Sequence, residues 1–340
     1  MEPVYVTRDE MMRALDVKPS AYMRNEIDRA ARAGSRAAEG YLHRIFYPEL
    51  LTRSFDWPSP GRGQSYSRIY FDERSLISLV DVESGGYEID PLDVLLYPDG
   101  QAPYEWIELD RDSPAAFSGG TQRAVIMSGL WGYRNDESAV GTLTSSPSIS
   151  SSTFSVSSSL EVGSILRVGQ ERAQVQEKSW SVSGQFGSIS STKDSTTLPV
   201  SDSSVFSFGE EILLDAERME IVDIAGNNLI VRRAVGGSVL AAHTNGVIFR
   251  NTIVRVQRGA LGTTATAHST GDTVYLWQPP SLVKELAQAY AEDIFLQRNS
   301  GYARTAGTGE SERMVTRNAL KGIEERAGAV YRRKARRRAV

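Results

Sequence analysis

The sequence predicts an α+β protein, with a small helical and β-meander core formed from both chain ends and a large all-β domain inserted between them. Three observations carry this. Apolar residues repeat with helical spacing near both ends, alternate as strands and turns through the middle, and change habit abruptly in "YLWQPPSLVKELAQAYAEDIF", Tyr275 to Phe295. Everything after Pro280 in that stretch reads as helix, and a helix that returns so late needs an apolar partner. Residues 1–134 and 279–311 are therefore predicted to share one core. Residues 135–278 form an inserted β-rich repeat domain with a Ser/Thr-rich linker, and 312–340 a carboxy-terminal helix with a basic tail.

In chain order, "VTRDEMMRALDV" opens a short helix, with Thr7 as cap and Glu10 three residues on to complete a capping box. A long helix follows Pro19. Its apolar stripe is read as Met23, Ile27, Ala30, Ala37, Tyr41 and Ile45, and Ala30, Ala31, Ala33, Gly34, Ala37 and Ala38 would let another helix approach closely. Thr52 to Tyr133 reads as an antiparallel meander, with runs such as "SRIYFD", "SLISLVDVES" and "RAVIMSGLWGY" between Pro and Gly turns. Residues 142–159 hold thirteen Ser or Thr in eighteen positions, which predicts linker or exposed strand edge, with a boundary near Asn135.

Beyond it lies internal repetition. "RAVGGSVLAAHTNG" from Arg233 is echoed twenty-five residues later by "RGALGTTATAHSTG" from Arg258, and "GSILRVGQERAQV" and "GEEILLDAERMEIV" make a weaker pair. After Pro279 and Pro280, Leu282, Leu286, Tyr290 and Ile294 share a helix face. Gly301, Gly307 and Gly309 interrupt it, and Val315, Ala319, Ile323 and Ala327 mark a last helix.

Composition removes whole classes of chemistry. The chain has no Cys and only His43, His243 and His268, so thiol nucleophiles, disulfides and zinc clusters are excluded and histidine catalysis is nearly so. No basic stretch followed by an apolar run opens the chain, and nowhere do eighteen apolar residues occur together, so neither a secretory signal nor a membrane span is predicted. The formal charge of −4 conceals an asymmetry. Residues 312–340 hold 10 Lys/Arg against 3 Asp/Glu, leaving 28 against 39 elsewhere, and six of residues 332–338 are basic. An acidic body with a basic tail suggests association with another acidic surface, or with the body of a neighbouring copy.

Each candidate site has a plain alternative. The run from Tyr331 to Arg338 can dock on an acidic protein surface, contact nucleic-acid phosphate, or simply keep a helix end soluble, where Lys and Arg are favoured by the macrodipole. His243 and His268 occupy equivalent repeat positions, yet no further His or Cys completes a metal site, and a turn-stabilising hydrogen bond is the expected role. Asp81/Glu83, Asp110/Asp112 and Glu210/Glu211 could be paired carboxylates, but they sit in turn-rich segments, and no catalytic residue, cofactor or metal is predicted. "GTGES" lacks the spacing of a phosphate loop and reads as a hinge. Of Trp57, Trp106, Trp131, Trp180 and Trp277, interface anchoring is plausible for Trp131 and Trp277, as is plain core packing.

The order of capped helix, Ala-rich helix, strands ending in "SGLWGY" and then "PPSLVKELAQAYAEDIFLQR" resembles the head–tail connector (adaptor, or head-completion) proteins of long-tailed bacteriophages. The matching pieces are Gly129 to Tyr133 and Pro279 to Arg298. About 145 residues separate them here, where the family has only a few. The resemblance covers roughly 5–133 and 279–340 and rests on element order and a few local signatures, not on a unique motif. It implies a non-enzymatic virion protein of the neck, assembled in the host cytoplasm as a ring of twelve copies. That ring would sit beneath the portal protein and join the DNA-filled head to a stopper or tail-completion protein, with possible contact to genomic DNA in the channel. On this reading Val315, Ile323, Val330, Tyr331, Arg332, Arg333, Lys334, Arg336, Arg337 and Arg338 bind the portal or a partner, ordering on docking, while the Ala-rich helices are buried against neighbouring copies. The alternative is a ligand- or glycan-binding virion module carried by the inserted β-domain.

Overall fold

The computed structural model describes residues 2–15, 21–56, 68–120, 122–299, 305–306, 313–314 and 317–333. Its order is α1 (Arg8–Leu15), α2 (Ala21–Leu42), β1 (Glu49–Phe55), β2 (Arg68–Tyr70), β3 (Leu76–Ser84), β4 (Tyr87–Ile89), β5 (Val94–Tyr97), β6 (Trp106–Leu109) and β7 (Val125–Trp131). Then come β8 (Glu137–Thr142), β9 (Thr153–Ser155), β10 (Ile165–Val168), β11 (Glu171–Ile189), β12 (Thr197–Pro199), β13 (Glu211–Leu214), β14 (Glu217–Ala225), β15 (Asn228–Arg232), β16 (His243–Gln257) and β17 (Thr273–Trp277). Helices α3 (Ser281–Asn299) and α4 (Arg317–Tyr331) follow, with the short strands Thr305–Ala306 and Arg313–Met314 paired between them. The fold is α+β.

The capping box at α1 forms reciprocally. Glu10 Oε2 accepts from the Thr7 amide at 3.0 Å, and Thr7 Oγ1 accepts from the Glu10 amide at 3.2 Å. The buried line of α2 is Ile27, Ala30, Ala31, Gly34, Ser35, Ala38 and Leu42, so the later half of the predicted stripe lies one residue off it. The helix stops at Leu42, where His43 turns left-handed with φ 51°, and Ile45 is beyond its end. That small-residue line is covered by α3 of the same chain. A Cβ on Gly34 would lie 2.5 Å from the Ala287 carbonyl oxygen, the mark of two backbones in direct contact. This face is therefore buried within the chain and not against a neighbouring copy.

The late helix thus rejoins the first. Tyr5, Ala38, Leu42, Phe46, Val283, Leu286, Ala287 and Ala327 form one apolar cluster, to which the β region adds Ile165 and Trp277. Tyr5 lies at its centre, its hydroxyl accepting from the Phe46 amide at 3.0 Å and donating to Glu39 Oε1 at 2.5 Å. Residues 49–131 form two sheets rather than a simple meander. One runs β1-β7-β3-β4, pairing the first strand with the last, and the other runs β2-β6-β5. Trp131 is fully buried between them and donates Nε1–H to the Leu51 carbonyl at 3.0 Å. Trp277 is also core, so both tryptophans pack inside; Trp57 lies outside the described residues.

The large sheet runs β12-β15-β14-β13-β16-β11-β10-β17-β8, with β9 also on β16. This order contains one six-strand pattern twice. The first unit runs β9, the end of β16, the start of β11, β10, β17 and β8. The second runs β12, β15, β14, β13, the start of β16 and the end of β11, and lies nested inside the first in sequence. The two sequence repeats are therefore the front and rear of one duplicated unit. Each has its own core: Phe154, Leu166, Val175 and Val256 in the first match Leu198, Ile212, Ile221 and Val231 in the second. The predicted Ser/Thr-rich linker belongs to the first unit. Its scattered apolar residues Leu143, Phe154 and Val156 are fully buried, and its hydroxyls bond the backbone, as Ser157 Oγ does in accepting from the Thr142 amide.

Candidate functional site

At the carboxy-terminal surface, α4 packs on the core rather than standing free. Ile323 and Tyr331 join the central cluster, and the Tyr331 ring meets Phe46 and Tyr133 edge-on. The Arg333 amide donates to the Leu42 carbonyl at 2.9 Å, and its guanidinium reaches Glu105. Val330 is 62% exposed, and Arg332 is exposed with its guanidinium over the Tyr41 ring at 5.0 Å. Of the predicted contact residues, Val330 and Arg332 thus face outward, while Ile323, Tyr331 and Arg333 hold the helix in place. Val315, Lys334, Arg336, Arg337 and Arg338 lie outside the described residues, as does the "GTGES" segment.

The two histidines have a shared explanation. In the first unit Glu171, at the start of β11, takes a two-pronged bond from Arg258, with Nε to Oε1 at 2.7 Å and Nη2 to Oε2 at 2.8 Å. Its oxygens also accept from His268 Nε2 at 2.9 Å and from the amides of Gly259 and Thr266. In the second unit Glu217 receives Arg233, His243 Nε2 at 2.9 Å, and the amides of Ala234 and Ala241 in the same way. Burial pushes both carboxyls up, but the arginine beside each, with the histidine and amides, outweighs it and holds each at about 2. The repeated R-x3-G-x4-A-H pattern is thus a loop wrapped around a buried glutamate from elsewhere in the unit. The histidine is a hydrogen-bond donor to that carboxylate. Asp215 Oδ2 also contacts His243 Nδ1 at 2.6 Å, yet among the described residues no three His, Asp or Glu side chains are grouped to hold a metal ion.

Sequence reasoning missed Glu171 and Glu217, although each sits in the weaker repeat at the same place. Glu210 is one half of the acidic pair Glu210/Glu211. It is buried and doubly bonded to Arg250, at 2.7 and 2.9 Å, so its charge is internally matched.

A cleft of about 550 Å³ opens between α1 and the second unit. Met12 and Arg13 stand on one wall, Phe208, Gly209 and the loop from Val235 to Gly237 on the other, and Glu211 and Glu220 lie within it. Arg218 and Arg232 pair with those two glutamates, so the floor is polar and nearly neutral while Phe208, 76% exposed, gives the rim an apolar edge. Such a surface suits a polypeptide backbone with a few side chains better than a single strong ion. Among the described residues no helix is long and apolar enough to cross a membrane. No protein-family model, curated protein or solved structure matches this chain.

Proposed function

We propose that the chain is a non-enzymatic structural subunit of a phage head-to-tail connector ring, in the neck of the virion, docking on the portal and linking the DNA-filled head to the stopper or tail. The observation that carries this reading is the fixed carboxy-terminal exit. Tyr331 and Arg333 pin the end of α4 to the end of α2, and the basic run Lys334, Arg336, Arg337 and Arg338 follows at once in sequence. A run of positive charge that follows a pinned helix end in sequence, on an acidic body, suits an acidic docking surface repeated around a ring. Exposed Val330 and Arg332 extend that surface onto α4, whereas Ile323 and Tyr331 act as internal anchors. Since α4 is already part of the core, its residues through Arg333 do not wait on docking to be ordered.

Light scattering of the purified chain titrated with its portal ring tests this, comparing the full chain with a truncation after Arg333 that leaves α4 intact. The full chain is expected to add in ring stoichiometry and to be released as salt rises, and the truncation to bind far more weakly. Equal binding by the truncation would remove the basic run from the reading. No binding by either would remove the portal.

A further inference from the structure

The two β units differ in what covers them. In the first, the chain's own core sits on one face. The Arg8 amide donates to the Val162 carbonyl and the Val162 amide to Asp9 Oδ2, each at 3.0 Å. Val4 lies over Gly163, where a Cβ would come within 2.8 Å of Val4 Cγ2, and Gln174 donates to the Glu2 carbonyl. On the same side the Leu261 carbonyl accepts from the Leu50 amide at 2.9 Å, and Gly262 approaches β1 so closely that a Cβ would fall 1.9 Å from the Leu50 carbonyl oxygen.

The second unit repeats this face. Phe208, Gly209 and Glu220 stand where Val162, Gly163 and Gln174 do, and Gly236 and Gly237 where Leu261 and Gly262 do. The backbone is conserved as well: φ is 61° and 75° at Gly236 and Gly237, against 55° and 77° at Leu261 and Gly262. Ser238 Oγ accepts from the Arg218 amide as Thr263 Oγ1 does from that of Arg172, at 3.0 and 2.9 Å. Yet this copy is open. Every residue of the first unit's core has a counterpart in the second's except Val162. Val162 is 2% exposed and its equivalent Phe208 is 76% exposed. Among the described residues neither backbone group of Phe208 has a partner, and a Cβ on Gly209 would meet nothing within 4 Å.

We infer that the cleft beside α1 is a second copy of the core-docking face, and that it binds an extended polypeptide segment leading into a helix, supplied by a protein other than this one. Each chain carries two such faces but one segment 2–15, which the first unit already holds, so among the described residues a folded copy has no free equivalent of that segment to offer. The first unit specifies the chemistry. The segment offers an amide to the Phe208 carbonyl, a carboxylate in its first helical turn to the Phe208 amide, and an aliphatic side chain over Gly209 and against the Phe208 ring. Glu220, although already paired with Arg232, replaces the amide donor Gln174 by an acceptor, so opposite it the segment carries a donor, such as a lysine that adds to that pair. The inference does not depend on the ring reading.

The test uses the full chain and two fluorescent peptides, one with the sequence of residues 2–15 and one with the same sequence carrying Glu2→Lys, followed by anisotropy. Saturable binding is expected, tighter for the Glu2→Lys peptide, weakened about tenfold or more by Phe208→Asp and unchanged by Val239→Asp, which alters an equally exposed residue outside the cleft. Circular dichroism melting confirms that both variants are folded. Failure of both peptides to saturate at millimolar concentration overturns the inference. So does equal binding to Phe208→Asp, which would mean exchange at the first unit, and so does Phe208-dependent self-association of the chain in light scattering, which would make the occupant a second copy.

Discussion

Glu171 and Glu217 show how a single buried charge can organise a loop. Each carboxylate is matched by a guanidinium, an imidazole and two amides, and each arginine in turn donates to two carbonyls of a separate Ser-rich segment: Arg258 to Ser148 and Ser151, Arg233 to Ser190 and Ser195. Removing one partner strands the other. Glu217→Gln leaves Arg233, 3% exposed, without its counter-charge and is expected to destabilise the protein by roughly 3–5 kcal/mol, read as a lowered denaturation midpoint. The acid dependence follows from the same geometry. Both carboxyls sit near 2 in the folded protein against an ordinary value of 4.5. Their contribution is therefore complete above about pH 4.5 and is lost as pH falls toward 2, on the order of 3 kcal/mol each. Urea midpoints measured across that range should fall steeply for the native chain and much less for the Glu171→Gln, Glu217→Gln double variant. The histidines' role as hydrogen-bond donors in the repeat was legible from their context, because nothing nearby could complete a metal site. Their acceptors were not, since Glu171 lies 97 residues from His268 and only the nested fold brings the two together.

At the scale of elements, the α2–α3 contact rests on small side chains. Gly34→Ala would gain helix propensity worth about 1 kcal/mol, but its Cβ meets backbone at 2.5 Å and Ala291 Cβ at 2.8 Å. The helices must separate, at a net cost of about 1–3 kcal/mol. Gly40→Ala, on the exposed side of the same helix with nothing within 4 Å, is expected to be neutral or slightly stabilising, and thermal melts of the two variants separate the effects. The sequence showed that α2 carried a close-packing face, because a cluster of Ala and Gly on one helix has few other uses. It did not fix which line of residues formed that face, since apolar positions one residue apart fit a period of 3.6 nearly as well. The Ser/Thr-rich segment is strand edge, with β9 paired among the described residues only to β16, and not the linker that composition also allowed; the two were indistinguishable for a related reason. Composition averaged over eighteen residues hides Leu143, Phe154 and Val156, three residues that are enough to seat two short strands.

For the whole molecule, the inserted region is not a detachable ornament. It contributes Ile165 and Trp277 to the central cluster, packs Leu261 against it, and carries Val162 beneath α1. Replacing 134–277 by a short Gly/Ser bridge from Tyr133 to Gln278 is therefore expected to give a product that aggregates or melts without a cooperative transition, whereas the full chain melts cooperatively. A well-folded product would mean that the helices need no β partner. The union of the two chain ends was legible because the pattern changed at Pro280. The dependence of that core on the insertion was not, because a few apolar contacts spread over a long segment leave no local signature. Truncations that remove α4 disturb the same core through Ala327 and Tyr331, so only those beyond Arg333 report on docking. The most direct measurement is electron microscopy of the full chain mixed with its portal ring. A closed ring of copies beneath the portal, with the end of α4 against the portal surface, is the predicted result. A chain that stays monomeric beside an unaltered portal would contradict it.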